Sequence, residues 1–238
     1  MENRQYSVKQ NRGITVNRGS GTAAISPEAK KVLRNTYSML AMTMLFSAVM
    51  AAVSMSIGLG QGAGLICMLG AIALVWLVLP KTANSSAGIG VVFAFTGLMG
   101  LALGPTLTYY LSMANGGQYV MQALGGTALV FFALSGYVLT TKKDFSFMRG
   151  MLVAGLVVVL VAIVGSIVAG MFGVDVSVFS LAISAAIVFL MSGFILYDTS
   201  RIVNGGETNY LMATVGLYLN IYNLFLSLLH LISAFSSE

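Results

Sequence analysis

The chain alternates long uncharged runs with short charged breaks. Residues 35–80, 82–141, 150–174, 176–197 and 208–237 carry no formal charge, with neutral His230 inside the last run. A helical membrane crossing needs about 20 apolar residues. The first two runs are each long enough for two crossings. The glycine cluster "GLGQG" (Gly58–Gly62) breaks the first, and "GPTLTYYLSMANGGQ" (Gly104–Gln118) breaks the second. The other three hold one each. The pattern predicts seven helices, over 36–57, 63–80, 88–104, 119–140, 149–171, 177–201 and 209–234. Ser26-Pro27-Glu28 is a helix-start signature, an N-cap followed by proline in the first turn. It predicts a short interfacial helix, "SPEAKKVLRNTY", leading into the membrane. Pro80 and Pro105 are expected at helix ends, with no proline inside a span. Small residues four apart recur at Gly58/Gly62, Gly100/Gly104 and Gly165/Ala169, a spacing that lets helices approach closely in lipid.

Composition agrees. Hydrophobic residues are 58% of the chain and charged residues 8%, against about 25% charged in soluble domains. Mean hydropathy is +0.91. The chain is expected to be an all-α membrane protein with a basic, disordered cytoplasmic tail at 1–30 and a seven-helix transmembrane domain at 31–238. The tail is too polar to bury a core of its own, and it is not a signal peptide, because polar and basic residues fill the region before the first apolar run. The one cysteine, Cys67, lies in an apolar run, so no internal disulfide is available.

The net charge of +5 does not point to nucleic acid, because its distribution is that of topology signals. Arg4, Lys9, Arg12, Arg18, Lys30, Lys31 and Arg34 all precede the first span. With the amino terminus inside, Lys81, Lys142, Lys143, Arg149 and Arg201 also fall on the inner side, and the chain ends outside at Glu238. Counts of six or eight helices would place some of these residues outside.

A polar stripe runs along the last span. Asn220, Asn223, Ser227 and His230 are spaced 3, 4 and 3, within about an 80° arc at 100° per residue. Gly216 and Ala213 extend that face. Lipid offers no hydrogen-bond partner, so the stripe should turn towards other helices. Interhelical hydrogen bonding is one reading of it and an ion or proton path is the other. Asp198 sits one turn from Arg201 on the same helix face, so an Asp198–Arg201 ion pair is expected. The alternative is a titratable carboxylate at the inner end of a cavity facing Asn220. No catalytic or cofactor-binding constellation is visible. A single histidine excludes an HExxH zinc site, and there is no phosphate loop, rhomboid-like serine motif or Cys/His cluster. Asp198, Asn220, Asn223 and His230 are only weak candidates for an ion path.

Three blocks, "KVLRNTY" (31–37), "LGGTALVFFALSGYVLTTKKDFSFM" (124–148) and "GGETNYLMATVGLYLNIYNLF" (205–225), resemble the bacterial YccA-like branch of the Bax-inhibitor family. The resemblance runs through residues 30–235. It implies six helices surrounding a central seventh, in a bacterial inner membrane. It also implies a role as a non-enzymatic modulator of the ATP-dependent membrane protease FtsH, with its HflK/HflC partners. Other branches of the family are pH-sensitive calcium leak pathways, which use paired aspartates on helices six and seven and a basic latch on helix two. Asp198 in "LYDTSR" matches the first aspartate. The second position, in "LYLNIYNLF", is Asn220, and Gly62 to Pro80 contains no arginine. The resemblance therefore implies a reduced site, with cation leak as the alternative function.

Overall fold

A computed structural model describes residues 25–236, so most of the expected 1–30 tail lies outside the described residues. At Ser26 the side-chain oxygen accepts from the Ala29 amide at 3.1 Å, and Pro27 occupies the first turn. Helix α1 then runs unbroken over Pro27–Ser56. The separate interfacial helix expected from this signature is instead the first part of the span. Ser, Pro and Glu start a helix, and nothing in "AKKVLRNTY" stops it. At 1.5 Å per residue, 30 residues reach about 45 Å, beyond a hydrocarbon core of about 30 Å.

The other spans are α2 (Gln61–Thr82), α3 (Ala87–Leu111), α4 (Gly116–Thr141), α5 (Ser146–Met171), α6 (Ser177–Val203) and α7 (Tyr210–Ser236). Among the described residues these seven helices are long and apolar enough to cross a membrane. The turns 83–86, 142–145 and 204–209 lie at the end of the bundle where α1 begins. Gly205, at φ +75°, closes α6 there.

The prolines depart from expectation. In α2 a π-helical turn, Leu74–Val78, directly precedes Pro80, and the helix continues to Thr82. Proline has no N–H to give and clashes with the carbonyl four residues back, so a widened turn at this point accommodates it. Pro105 lies inside α3, not at its end. It deprives the Leu101 carbonyl of its donor within the helix. Ser54 of α1 replaces that donor, its Oγ donating to Leu101 O at 2.8 Å. A proline is tolerated inside a span when a neighbouring helix satisfies the freed group.

Packing is closest between α1 and α3. A Cβ on Gly100 would strike the Ser47 carbonyl and Met50, and one on Gly104 would strike the Ser54 side chain. Gly100/Gly104 is thus a genuine close-approach pair. Gly58, Gly62 and Gly165 are not, since a Cβ at any of them would meet nothing. Helix α7 is the central element, with the largest buried share of the seven spans at 50%, whereas α5 has the smallest at 11%. It packs on α1, α3, α4 and α6, while α2 is carried by α3 and α5 by α6.

Candidate functional site

Asp198 lies on α6 one and a half turns before the helix ends, and its side chain points to α7. Asn220 Nδ2 donates to Asp198 Oδ2 at 2.7 Å. A Cβ added to Gly216 would lie 3.4 Å from the same oxygen, so glycine there leaves room for the carboxylate. Asn220 is buried and Asp198 partly so. The Asp198–Arg201 pair expected from the spacing is replaced by another. Gly206 N and Glu207 N both donate to Arg201 O, at 2.8 and 3.1 Å, folding the turn back beside Arg201. Glu207 Oε2 then takes Arg201 Nη2 at 3.0 Å, and Arg201 also lies over the Tyr197 ring. A carboxylate in the turn reaches the guanidinium, while Asp198 finds its donor on α7.

The rest of the α7 stripe divides. His230 Nδ1 lies 2.8 Å from Ser184 Oγ of α6, a second link between the same two helices. Asn223 donates to Leu219 O of its own helix at 2.8 Å. It also lines a cavity of about 370 Å³ with Gln61, Thr106 and Tyr222 between α2, α3 and α7. Asp198 lines neither this cavity nor the two others described below. The stripe is therefore not one continuous polar path.

Several polar links had no clear signal in the sequence. Ser47 of α1 and Tyr218 of α7 share a hydrogen bond of 2.6 Å. Ser200 on α6 accepts from Phe145 N at 2.9 Å, donates to Lys143 O at 3.1 Å and is joined by Asn204. Asn209 donates to Ala83 O and Asn84 Oδ1, both at 2.9 Å, tying the 83–86 and 204–209 turns together around a polar cavity of about 350 Å³. At this end of the bundle Asp144 accepts from Ser146 N and Oγ, which holds its carboxyl below the usual range. Serine or threonine occurs in every span, and spacing alone does not say which of them bridge helices.

The chemistry open to the Asp198 site is limited. Calcium takes 6–8 oxygen ligands. Here one carboxylate meets one amide, whose nitrogen rather than oxygen faces it. Among the described residues no three His, Cys, Asp or Glu side chains come together as a metal site. The contact is an interhelical hydrogen bond that ties α6 to α7.

These features define a multi-pass helical membrane protein whose central helix is held by buried polar bonds. The chain belongs to the Bax inhibitor family, because the model for "Inhibitor of apoptosis-promoting Bax1" matches residues 29–237. An uncharacterized membrane protein of Vibrio cholerae is 50% identical over 211 residues, 89% of this chain and 92% of that one. "Modulator of FtsH protease YccA" of Escherichia coli (strain K12) is 48% identical over 208 residues, covering 87% of this chain and 92% of that one. An uncharacterized protein of Pseudomonas aeruginosa is 47% identical over 204 residues, 86% of this chain and 89% of that one.

Proposed function

We propose that this chain is a bacterial inner-membrane protein that binds and inhibits an FtsH-type ATP-dependent protease, in the company of HflK/HflC-type partners. The observation that carries the reading is the near full-length similarity to a relative named as a modulator of that protease. The architecture supplies a physical mechanism. The basic segment before Ser26 is the part the protease would engage, on the cytoplasmic side by the charge asymmetry. Beyond it, pulling meets α1, which Ser54 and the Gly100/Gly104 contact hold to α3, and Ser47 holds to α7. A substrate that is easy to grip and hard to extract occupies the protease and slows turnover of others. The charged inner surface around Lys81, Lys142, Lys143, Asp144, Arg149, Arg201 and Glu207 is the docking face that goes with this reading.

Co-purification from native membranes, together with deletion of residues 1–25, tests it. The intact protein should bring down the protease, and the deletion should lengthen its own half-life and shorten that of another substrate. Failure to recover the protease, with both half-lives unchanged by the deletion, removes the proposal. The second reading, cation leak, rests on the Asp198–Asn220 contact. An amide in place of a second acid removes the shared proton that couples a carboxylate pair. Calcium flux through purified protein in liposomes should accordingly be weak at any pH. Robust flux abolished by Asp198→Asn would reverse the ranking.

A further inference from the structure

Helices α1 and α4 both pack on α7 and touch each other at the rings of Tyr37 and Phe131, whose centroids lie 5.8 Å apart. Between them lies an apolar groove of about 540 Å³, floored by Tyr218, Ile221 and Phe225 of α7. Its α1 wall is the stripe Tyr37, Ala41, Met44, Ala48, Ala52 and Met55; Leu124 and Phe131 stand on the α4 wall. The wall from Tyr37 to Met55 extends about 27 Å at 1.5 Å per residue, close to the thickness of the hydrocarbon core. Leu45 and Phe132 at the rims are exposed, so the groove opens sideways to lipid.

The two ends of this groove differ. Continuing the α1 stripe back by one and two turns, at 100° per residue, gives Arg34 and then Lys30. Both are exposed. Lys142, the residue that closes α4, lies at the same end. None of the three has an ion pair among the described residues, where the one salt bridge is Arg201–Glu207. Tyr37 also lines the groove at this end, and its buried hydroxyl has no hydrogen-bond partner. At the opposite end the wall finishes at Met55, Leu107 and Val120, with no charged side chain.

We infer that the α1–α4 groove is a binding site for one anionic phospholipid, with its acyl chain along Ala41, Met44, Ala48 and Phe131 and its headgroup phosphate among Lys30, Arg34 and Lys142. A lipid tail matches the length and apolarity of the walls. The unpaired cations at one end match a phosphate. A helix of a partner protein would fill the apolar part but would leave the three cations unanswered. The headgroup chemistry holds for either orientation of the bundle. The charge asymmetry then assigns the lipid to the cytoplasmic leaflet. The inference does not depend on the protease reading.

The test is native mass spectrometry of detergent-purified protein titrated with phosphatidylglycerol or phosphatidylcholine of matched chains. The wild type should retain one phosphatidylglycerol at least about tenfold better than phosphatidylcholine. One basic residue near an anionic surface is worth about fivefold in affinity. Lys30→Gln with Arg34→Gln should thus bring phosphatidylglycerol down by about tenfold or more, while Lys81→Gln, in the last turn of α2 and outside the groove, should change nothing. Ala48→Trp fills the groove from an exposed position and should abolish retention of both lipids, with the helical circular dichroism intact. Equal retention of the two lipids by wild type overturns the site. So does an equal loss from Lys81→Gln, which would show only diffuse surface charge, or retention unaffected by Ala48→Trp. Cross-links from position 48 to another protein's helix, in native membranes, would replace the lipid with a protein partner.

Discussion

The Ser54–Leu101 bond exists because residue 105 is a proline, and that dependence can be measured. Pro105 gives no N–H to Leu101 O, so Ser54 Oγ is the donor at 2.8 Å. Ser54 is fully buried, and its hydroxyl is the group from outside α3 that reaches this carbonyl. Ser54→Ala leaves a carbonyl unpaired where no water can replace the donor. An orphaned buried group costs about 1–3 kcal/mol, and interhelical hydrogen bonds measured by double-mutant cycles in a membrane protein average about 0.6 and reach about 1.7. A loss of about 1–2 kcal/mol is therefore expected. Pro105→Ala restores the amide, and α3 can then satisfy Leu101 by itself. In that background Ser54→Ala should cost less than about 0.5 kcal/mol, giving a coupling of about 1 kcal/mol in the double-mutant cycle. Equilibrium unfolding of the four proteins in mixed micelles, followed by circular dichroism, measures it. Ser56→Ala is the control, because that exposed hydroxyl bonds only its own helix at Val53 O. If Ser54→Ala costs the same with proline or alanine at 105, the compensation argument is wrong.

Four further outcomes are expected. Gly100→Ala should destabilise the bundle by about 1–3 kcal/mol, because its Cβ meets backbone that cannot move aside. Gly165→Ala should stay within about 0.5 kcal/mol in the same micelle unfolding assay, since its Cβ meets nothing. A double-mutant cycle on Asp198→Ala and Asn220→Ala should show a coupling of about 0.6–1.7 kcal/mol, and additivity would mean that the 2.7 Å contact contributes nothing. Asp144 holds the start of α5 through Ser146, and its folded pKa lies below the ordinary carboxylate value. Its contribution is therefore present above about pH 4 and lost as pH falls through the lowered folded value. Thermal unfolding of Asp144→Asn should match wild type below that window and fall modestly short of it above, by less than about 1 kcal/mol given its exposure.

The seven spans were legible because hydropathy and charge act over whole segments. The exceptions are local. Pro105 ends a helix by rule, yet it continues here because a serine 51 positions earlier in sequence meets the freed carbonyl. No pattern within one segment carries that information. The same limit applies to the site. Periodicity placed Asn220 and His230 on one face of α7, and the structure brings both to α6. The spacing of Asp198 and Arg201 suggested a pair, but spacing does not show that the 204–209 turn folds back to present Glu207. Of three equivalent small-residue spacings, only Gly100/Gly104 faces another helix closely. Which of such sites are used depends on the partner surface, and that surface is not local in sequence.

Helix α1 is where the proposed grip and the resistance to extraction meet. A pull on residues before Ser26 loads α1 first, and α1 is joined to α3 by the closest helix contact in the bundle and to α7 by Ser47–Tyr218. The peripheral helices are elsewhere, with α5 resting on α6 and α2 on α3. A segment that leads into a peripheral helix would let a protease peel the chain one span at a time. One that leads into α1 makes the first step work against the core. The order of attachment thus predicts an interaction between handle and core. Gly100→Ala, which weakens the α1–α3 contact, should shorten the half-life of the protein in cells containing the protease, and deleting residues 1–25 should cancel that effect. Pulse-chase turnover of the single and combined variants decides it. If Gly100→Ala accelerates degradation equally with and without the amino-terminal segment, the protease is not pulling through α1, and the resistance of the bundle is not what would make this protein an inhibitor.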